Sequence, residues 1–325
     1  MNYVIGIDGG GTKTKAVIVD MKGKVVAQET VGPTNPNVVS KKELQHTFQT
    51  LFHSLRQQAP PHFSNILSVF AGVSGAGNAT NKKVLQETIE PLIENNIPIQ
   101  IEADAINALY SGSYGAPGIV QIAGTGSITY GINSNLEHHR VGGWGYLFGD
   151  EGSGYDIGRK GIMAALQSVD GRASETILLP MIYAHFNVTN AQDLIRGIYA
   201  SPTSKSEISP VAEIVFQGFK DDDPIAEGII AEAVKETTLS IKALYEKLFY
   251  VEEKVEVVLC GGVFQEKNIL PRLIKEDLRM YPAMKVVLPE MPPVGGSIIG
   301  AYLMQGVDVD EAIIDTIRKT INRKR

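Results

Sequence analysis

The 325-residue chain has very little cysteine, and this scarcity excludes several kinds of site. Cys260 is its single cysteine, so an internal disulfide and a multi-thiolate zinc or iron–sulfur site within the chain are excluded. Histidine is scarce as well, with six residues, and their spacing shows no metal-ligand pattern such as His-Glu-x-x-His. Disulfide scaffolds and thiolate-held metal centres are therefore not expected.

Long apolar stretches and an excess of basic charge are also lacking. No apolar run approaches 18 residues and no basic stretch precedes an apolar core at the start, so we expect neither a membrane span nor a signal peptide, and a cytoplasmic protein. Lys and Arg number 30 against 36 Asp and Glu, a net charge of −6 that argues against a general nucleic-acid surface. The basic residues near the end fit the last turn of a helix better than a nucleic-acid tail: Arg318, Lys319, Arg323, Lys324 and Arg325.

What the chain does contain is an ordinary globular composition with a surplus of glycine. Hydrophobic residues make up 43% and charged residues 20%, and the length suggests about two domains. Glycine occurs 33 times, about 10% of the chain against roughly 7% in average usage. Much of this surplus gathers in five stretches: residues 9–11, 124–126, 142–161, 261–262 and 295–296.

Hydrophobic periodicity predicts a layered α/β organisation. Residues 3–8, 14–20 and 24–29 are separated by turn residues, which is the pattern of a β-meander. A capping box at Ser40 and Glu43 precedes apolar residues at helical spacing and predicts a helix. Strands then alternate with helices, and we expect a largely parallel sheet.

The pattern of strand, glycine–threonine turn and strand occurs again in the second part of the chain. Thr12 in the first turn and Thr125 in the second lie about one domain length apart, which indicates an internal duplication. Two halves with matching turns can face each other across a cleft. A long amphipathic helix near residues 225–248 and a closing helix after Asp308 complete the prediction.

The first turn places three glycines and two hydroxyls directly after the acidic end of a strand. Because glycine has no side chain, the backbone N–H groups from Gly10 and Gly11 to Thr12 and Lys13 can approach a phosphate closely. Asp8 can then hold a magnesium ion through water, since Mg²⁺ prefers one or two carboxylates together with phosphate oxygens. An ordinary glycine hairpin would explain this turn, taken alone, equally well.

The second turn, formed by Gly124, Thr125 and Gly126, favours phosphate binding. Two such turns at equivalent points of two repeated halves are hard to obtain from unrelated hairpins. Neither turn is a P-loop or a Rossmann fingerprint, because the Walker spacing is absent and a strand follows where a helix would be required.

Asp104 stands where a predicted strand ends and a helix begins. It can simply cap that helix, which is a common structural role for aspartate. It can also act as a general base, because transfer of a phosphoryl group to an alcohol requires a carboxylate that accepts the hydroxyl proton. The carboxyl end of a strand is where α/β folds place such groups.

The glycine-rich stretch that includes Trp144, Asp150 and Glu151 has the chemistry of a sugar-binding loop. Carboxylates accept hydrogen bonds from vicinal hydroxyls, and an aromatic ring covers the apolar face of a sugar. The alternative is a solvated acidic turn beside a core tryptophan. Gly261 and Gly262 end a later strand and would let an adenine or ribose lie against bare backbone, although glycines at strand ends are common.

The chain resembles the N-acetylglucosamine kinase branch of the actin-like ATPase and sugar-kinase superfamily, in the group that also contains the ATPases activating benzoyl-CoA reductase and 2-hydroxyacyl-CoA dehydratase. The resemblance runs nearly end to end on six motifs in order: IGIDGGGTKT, PTNPN, EADA, IAGTGS, GGWGYLFGDEGSG and LCGGV. It implies an α/β fold with duplicated ribonuclease-H-like domains flanking an ATP and sugar cleft. Residues 1–117 would carry the first phosphate loop and the base, residues 118–297 the second phosphate loop, the sugar loop and a helical insertion, and residues 298–325 the helices that pack back on the first domain.

The resemblance also implies ATP and Mg²⁺ as cofactors and a role for each motif. Asp104 would be the base at the sugar 6-hydroxyl, and Asp8 would organise Mg²⁺. The nucleotide would be held by Gly10, Gly11, Thr12, Lys13, Gly124, Thr125, Gly126, Gly261 and Gly262. The sugar would be bound by Asn35, Asp104, Thr125, Gly143, Trp144, Asp150, Glu151 and Gly154.

The expected reaction converts N-acetylglucosamine and ATP to N-acetylglucosamine 6-phosphate and ADP. Two departures from the mammalian kinases, Ile128 in place of an asparagine and Gly154 in place of an alanine, lie where the sugar should bind. N-Acetylmuramic acid and glucosamine therefore stay open as substrates.

Two other classes of protein fit the sequence less well. An activator ATPase of an acyl-CoA dehydratase or reductase shares a [4Fe–4S] cluster between subunits and needs two cysteines from each chain, but this chain has one. A sugar-responsive repressor would need a helix-turn-helix ahead of the first strand, for which we expect no room. The oligomeric state stays open, and the helical region from about residue 153 to 249 is large enough for a homodimer interface.

Overall fold

The computed structural model describes residues 1–93 and 96–322. Three residues of the basic end, Arg323, Lys324 and Arg325, lie outside this described part. Within it the strands are β1 (Tyr3–Gly9), β2 (Thr14–Asp20), β3 (Val25–Val31), β4 (Ile66–Val73), β5 (Ile99–Glu102), β6 (Gly118–Ala123), β7 (Ser127–Ile132), β8 (His138–Gly142), β9 (Val255–Cys260) and β10 (Met284–Val287).

The helices of the described residues are α1 (Lys41–Gln58), α2 (Pro60–Phe63), α3 (Ala79–Ile89), α4 (Asp104–Ser113), α5 (Gly154–Val169), α6 (Leu178–Phe186), α7 (Ala191–Ala200), α8 (Ser204–Ile208), α9 (Val211–Lys220), α10 (Pro224–Leu248), α11 (Leu270–Asp277), α12 (Pro293–Leu303) and α13 (Glu311–Ile321). Short 3₁₀ turns occur at Glu90–Leu92, Gly262–Phe264 and Leu278–Met280.

The chain forms two compact units. The first contains Met1–Pro117 and Leu288–Arg325, and the second contains Gly118–Val287. Residues 288–297 therefore lie in the first unit, whereas the sequence assigned them to the second domain. The reason is that α12, which begins at Pro293, packs on β1 and α4. The roles assigned to the domains stay predictions.

A mixed five-stranded sheet forms the centre of the first unit, in the order β3-β2-β1-β4-β5. Short turns join β1 to β2 and β2 to β3, so these pairs are antiparallel and the predicted meander is confirmed. Helices connect the later strands, so β4 runs parallel to β1 and β5 runs parallel to β4. The capping box is also confirmed: the Ser40 hydroxyl accepts a hydrogen bond from the Glu43 N–H, and the Glu43 carboxylate accepts one from the Ser40 N–H at 2.8 Å.

The core of the first unit lies between this sheet and α1. The α1 residues that the periodicity selected, Phe48, Leu51 and Leu55 among them, are fully buried. They pack in one apolar cluster with Ile5 and Ile18 of the sheet. Burial of this stripe holds α1 against one face of the sheet.

The second unit contains another mixed five-stranded sheet with the same connectivity. Its order, β8-β7-β6-β9-β10, places two antiparallel pairs and two parallel pairs as in the first sheet. This repeat of order and direction confirms the predicted α/β duplication. The expectation of a largely parallel sheet was wrong, because hairpins supply half of the strand pairs in each sheet.

Six helices, α5 to α10, lie between β8 and β9 and form the helical insertion. The predicted long helix is confirmed as α10, where the Asp223 carboxylate accepts hydrogen bonds from the Ile225 and Ala226 N–H groups and Pro224 occupies the first turn. The closing helix, α13, begins after the cap residue Asp310. In the described part of the chain, no helix combines the length and apolar character needed to cross a membrane.

Candidate active site

The first predicted phosphate turn joins β1 to β2 in the first unit. A hydrogen bond from the Gly10 N–H to the Lys13 carbonyl, at 2.9 Å, closes the turn, and Gly11, Thr12 and Lys13 are exposed. Thr14, the first residue of β2 after the turn, is buried, and its hydroxyl forms a hydrogen bond with the Thr34 hydroxyl at 2.8 Å. Its backbone is accessible to a phosphate, and its geometry alone is that of a glycine hairpin.

Asp8 lies beside this turn near the end of β1, where the sheet places it at the edge shared with the end of β4. Its carboxylate accepts a hydrogen bond from the Asn107 amide at 2.9 Å. The pKa of Asp8 is raised to about 6: burial raises it most, the Asn107 hydrogen bond lowers it, the nearby Asp104 charge raises it, and the charges of Lys13 and Lys15 lower it. A half-buried carboxylate with this electrostatic cost is suited to hold a cation.

Asp104 is the first residue of α4, directly after β5 and the cap residue Ala103. It is therefore not the cap itself, but its carboxylate accepts a hydrogen bond from the Ala105 N–H in the first helical turn. Burial raises the pKa of Asp104, while hydrogen bonds from the Ser74 hydroxyl and from backbone N–H groups lower it. A carboxyl with a raised pKa and a fixed orientation has the properties of a general base.

Ser74 connects two of the predicted site residues and was missed from the sequence. Its hydroxyl accepts a hydrogen bond from the Asn35 amide at 3.3 Å and donates one to Asp104. The Ser74 N–H also donates to the Gly9 carbonyl at 2.7 Å, which fixes the start of the loop after β4. The signal was available: Ser74 directly follows a buried strand, the neighbouring strand carries Asp8 next to its last residue, and parallel strands end at the same edge of a sheet.

The second predicted phosphate turn lies between β6 and β7 in the second unit. The Gly124 N–H donates to the Gly126 carbonyl at 2.9 Å, and the Gly124 carbonyl accepts a hydrogen bond from the Gly154 N–H at 2.7 Å. Gly154 is the first residue of α5, capped by the Ser153 side chain. The structure thus brings together two glycines that the sequence placed in different motifs, the phosphate turn and the sugar loop.

Asp150 connects the sugar loop to the same turn. It is 5% exposed, and its carboxylate accepts hydrogen bonds from the Ser127 N–H at 3.3 Å and from the Lys205 ammonium at 2.9 Å. Lys205 belongs to α8 of the helical insertion and was not found from the sequence, where nothing relates it to Asp150. The alternative of a solvated acidic turn is therefore wrong for Asp150, although the adjacent Glu151 is exposed.

Trp144 lies on the surface of the second unit rather than in the core. Its side chain is 68% exposed, which rules out the alternative of a core tryptophan. The Arg140 guanidinium covers the ring at 4.3 Å and donates a hydrogen bond to the Gly143 carbonyl at 3.2 Å. Trp144 and Gly143 are thus held together by one cation on the strand that precedes them.

A cavity of about 350 Å³ in the second unit brings several predicted nucleotide residues together. Gly124, Thr125, Gly154 and Gly262 line it, with the Glu213 side chain contributing a carboxylate. Gly261 lies beside them with a φ of +118°, and a side chain there would overlap the backbone of Ala123. The two glycine motifs of this unit therefore pack against each other, which requires glycine at this position.

The described residues contain no group of three or more His, Cys, Asp and Glu side chains arranged to hold a metal ion. A magnesium ion at Asp8 would thus depend on phosphate oxygens and water for most of its ligands, which agrees with the usual coordination of Mg²⁺.

Comparisons with known proteins show which chains this one resembles. The model of the BadF/BadG/BcrA/BcrD ATPase family matches residues 5–304. A protein named N-acetylmuramic acid/N-acetylglucosamine kinase from Clostridium acetobutylicum is 36% identical over 92% of this chain and 98% of its own length. An N-acetyl-D-glucosamine kinase from Dictyostelium discoideum is 30% identical over 91% of this chain and 96% of its own length. A Chromobacterium violaceum structure, described as a candidate N-acetylglucosamine kinase, has a TM-score of 0.71 at 24% identity, covers 92% of this chain and 98% of its own, and shows the shared fold.

Proposed function

Because this chain belongs to the BadF/BadG/BcrA/BcrD ATPase family, we propose that it is an ATP-dependent amino-sugar kinase. The proposed reaction converts N-acetylglucosamine and ATP to N-acetylglucosamine 6-phosphate and ADP. One structural observation carries the proposal: the first unit holds two carboxyls, Asp8 and Asp104, at the ends of parallel strands, and the pKa of each is raised by burial. Relatives that match over nine-tenths of the chain are named as kinases of amino sugars.

Asp104 is the proposed general base. The oxygen of the sugar 6-hydroxyl attacks the γ-phosphorus of ATP, the bond from that phosphorus to the β–γ bridging oxygen breaks, and ADP leaves. The hydroxyl proton passes to the Asp104 carboxylate. Ser74 and Asn35 hold this carboxylate in one orientation through successive hydrogen bonds, which supports the role because a base must be fixed near the proton that it accepts.

Asp8 is the proposed magnesium-binding residue. Its burial fits such a role, because the ionised carboxylate is poorly solvated and lies near the charge of Asp104, so a cation would relieve both costs. When bound, Mg²⁺ would neutralise charge on the phosphate oxygens. Lys13, exposed in the adjacent turn, is assigned to the phosphates, because its positive charge suits them.

The nucleotide is assigned to the two glycine turns and to the cavity of the second unit. Gly10, Gly11 and Thr12 offer exposed or partly exposed backbone to phosphate oxygens. The cavity lined by Gly124 and Gly262 is of a size that accepts a nucleoside, and its Glu213 carboxylate suits ribose hydroxyls. A cytoplasmic location, expected from the sequence, agrees with the use of ATP.

The sugar is assigned to Asn35 in the first unit and to the glycine-rich loop in the second. The exposed Trp144 ring offers an apolar face, and the neighbouring acceptors in that loop are Asp150 and Glu151. Thr125, Gly143 and Gly154 complete the assignment. N-Acetylmuramic acid is kept as an alternative substrate because the Clostridium acetobutylicum relative bears its name, and glucosamine because a Vibrio cholerae relative is named glucosamine kinase.

The function is tested by measuring ADP release with N-acetylglucosamine, N-acetylmuramic acid, glucosamine and glucose in turn. We expect at least one amino sugar to stimulate ATP turnover well above the rate without sugar. If no sugar does so, the kinase assignment fails. An activator ATPase would instead hydrolyse ATP independently of sugar, and the single cysteine disfavours it.

The role of Asp104 is tested with Asp104→Ala. We expect the turnover number to fall by about 10²–10⁴, since that is the range for loss of a general base, while nucleotide binding and folding are retained. Asp170→Ala serves as a control, because Asp170 is an exposed carboxylate at the end of α5. Near-normal turnover in Asp104→Ala would remove Asp104 as the base.

A further inference from the structure

Asn107 is a fully buried amide whose hydrogen bonds are unevenly distributed. Its side-chain nitrogen lies within 3.2 Å of the Ile7 carbonyl, 2.9 Å of Asp8 Oδ1 and 3.0 Å of the Gly72 carbonyl. Its oxygen Oδ1 is buried and has no hydrogen-bond partner within the described part of the chain. An amide NH₂ group has two hydrogens, so three acceptors compete for them while the acceptor end goes unused.

This arrangement is unusual for an amide that only fills space. Buried polar atoms are nearly always paired, and an unpaired amide oxygen destabilises the folded state. Turning the amide over would bring the oxygen against two carbonyls and a carboxylate, so its orientation is fixed by repulsion as well as by attraction. The amide nitrogen thus stays directed at Asp8 although the amide oxygen is left unpaired, which indicates that the hydrogen bond to Asp8 has a functional role.

The surroundings hold Asn107 in place. Asp8 and Gly72 are register partners on the parallel strands β1 and β4, so the amide nitrogen spans the ends of both strands. A side chain at position 72 would overlap the Asn107 side chain, and one at Gly296 of α12 would overlap its backbone carbonyl. Asn107 therefore packs closely against two glycines, its side chain against Gly72 and its backbone against Gly296.

Asn107 also lies three residues after Asp104 in α4, so both occupy one face of that helix. The first residue of α4 is therefore the proposed base, Asp104, and one turn later Asn107 donates a hydrogen bond to the Asp8 carboxylate. A displacement of α4 would move Asp104 and Asn107 together.

We propose that Asn107 is a positioning residue for the Asp8 carboxylate, holding Oδ1 so that the remaining oxygen is directed to hydrated magnesium on the nucleotide. This inference rests on the proposed function, since it assumes that Asp8 serves a metal. Residues that orient a metal-binding carboxylate without touching the metal typically contribute about 10- to 100-fold to metal affinity.

The test measures metal binding rather than turnover. Mn²⁺ is titrated into the full-length protein saturated with a non-hydrolysable ATP analogue, and free Mn²⁺ is counted by electron paramagnetic resonance. We expect Asn107→Ala to weaken Mn²⁺ binding about 10- to 100-fold. Asn107→Leu, which keeps the volume of the side chain and removes both polar atoms, should weaken it by a similar factor and covers the case in which the alanine variant does not fold.

Ser111→Ala is the matched control. Ser111 is a fully buried polar residue of the same helix, and its hydroxyl donates to the Ala108 carbonyl rather than to a carboxylate. We expect Mn²⁺ affinity in this variant to stay within twofold of the original. If Ser111→Ala weakened Mn²⁺ binding as much as the Asn107 variants, the effect would belong to α4 in general and the proposal would be overturned.

The outcomes separate this inference from the proposed function. Unchanged Mn²⁺ affinity in both Asn107 variants, with the original protein binding metal and nucleotide, would overturn the positioning role alone. Failure of the original protein to bind Mn²⁺ with the ATP analogue would overturn the metal role of Asp8 and the positioning role with it. Steady-state kinetics add a second criterion: the Mg²⁺ concentration for half-maximal rate should rise while the KM for the sugar stays constant.

Discussion

Replacing Asp8 by asparagine should stabilise the protein without nucleotide while abolishing its use of magnesium. Burial raises the pKa of Asp8 from 3.8 to about 6. Since a tenfold change in proton affinity corresponds to about 1.4 kcal/mol, the ionised carboxylate costs the folded state up to about 3 kcal/mol. Asparagine removes this cost, and its amide oxygen can still accept the hydrogen bond from Asn107.

The pH dependence gives the sign of the effect. Below about pH 4 the Asp8 carboxyl is protonated in both the folded and the unfolded chain, so it takes nothing from the free energy of unfolding. Between about pH 4 and pH 6 the unfolded chain gives up this proton while the folded chain keeps it, so the free energy of unfolding falls. The loss is complete once the pH has risen through about 6, where the folded carboxyl also ionises. The stability advantage of Asp8→Asn should therefore grow from about 1.5 kcal/mol at pH 5 to about 3 kcal/mol at pH 8.

Native-state hydrogen exchange of the β1 and β4 amides measures this advantage in the unit that contains Asp8. Metal is removed with a chelator, and the rates are corrected for intrinsic exchange at each pH. Adding Mg²⁺ with a non-hydrolysable ATP analogue should reverse the order, because the original protein gains binding energy that the variant lacks. Asp315→Asn, on the exposed surface of α13, should show no gain at pH 8. A variant less stable than the original at pH 8, or an advantage independent of pH, would refute the reasoning.

Three further substitutions test the contacts around the proposed substrates. Ser74→Ala removes a hydrogen bond that lowers the pKa of Asp104, so the acidic limb of the pH–rate profile should move to higher pH, and an unmoved limb would count against this contact. Lys205→Met leaves the buried Asp150 with one partner fewer and should raise the KM for sugar about tenfold with the KM for ATP unchanged. Trp144→Ala should raise the KM for sugar severalfold and leave the melting temperature unchanged, because the ring is 68% exposed; a constant KM would remove it from the sugar site.

Much of the fold could be predicted because its signals are local. The capping box at Ser40 and the start of α10 after Asp223 each depend on residues within one helical turn. The duplication could be predicted because the same local pattern, a strand followed by a glycine–threonine turn and a second strand, occurs twice in the sequence. The mixed character of the sheets was missed, because the alternation of strands with helices describes only the parallel half of each sheet, whereas hairpins between consecutive strands supply the other half.

The candidate site divides in the same way. Asp8 lies near the end of β1, and Asp104 and the glycine turns follow strand ends, so a role for each could be proposed from the order of residues. Lys205 and Asn107 could not be found in this way, because they act on carboxylates 55 and 99 positions away along the chain. Their side chains are ordinary for a helix surface and a helix interior, and only the folded chain shows which partner each one meets.

The duplication also divides the chemistry between its two halves. In the first unit, Asp8 lies next to the last residue of β1 beside the turn, and Asn107 and Ser74 each donate a hydrogen bond to a carboxyl. In the second unit, β6 ends in Ala123, and the corresponding turn is bounded by glycines that pack against backbone. The proposed base and the proposed magnesium-binding carboxyl thus both belong to the first copy. Changes in the first unit are therefore expected in the turnover number, its pH dependence and the requirement for magnesium, whereas changes at Lys205 and Trp144 are expected in the KM for sugar.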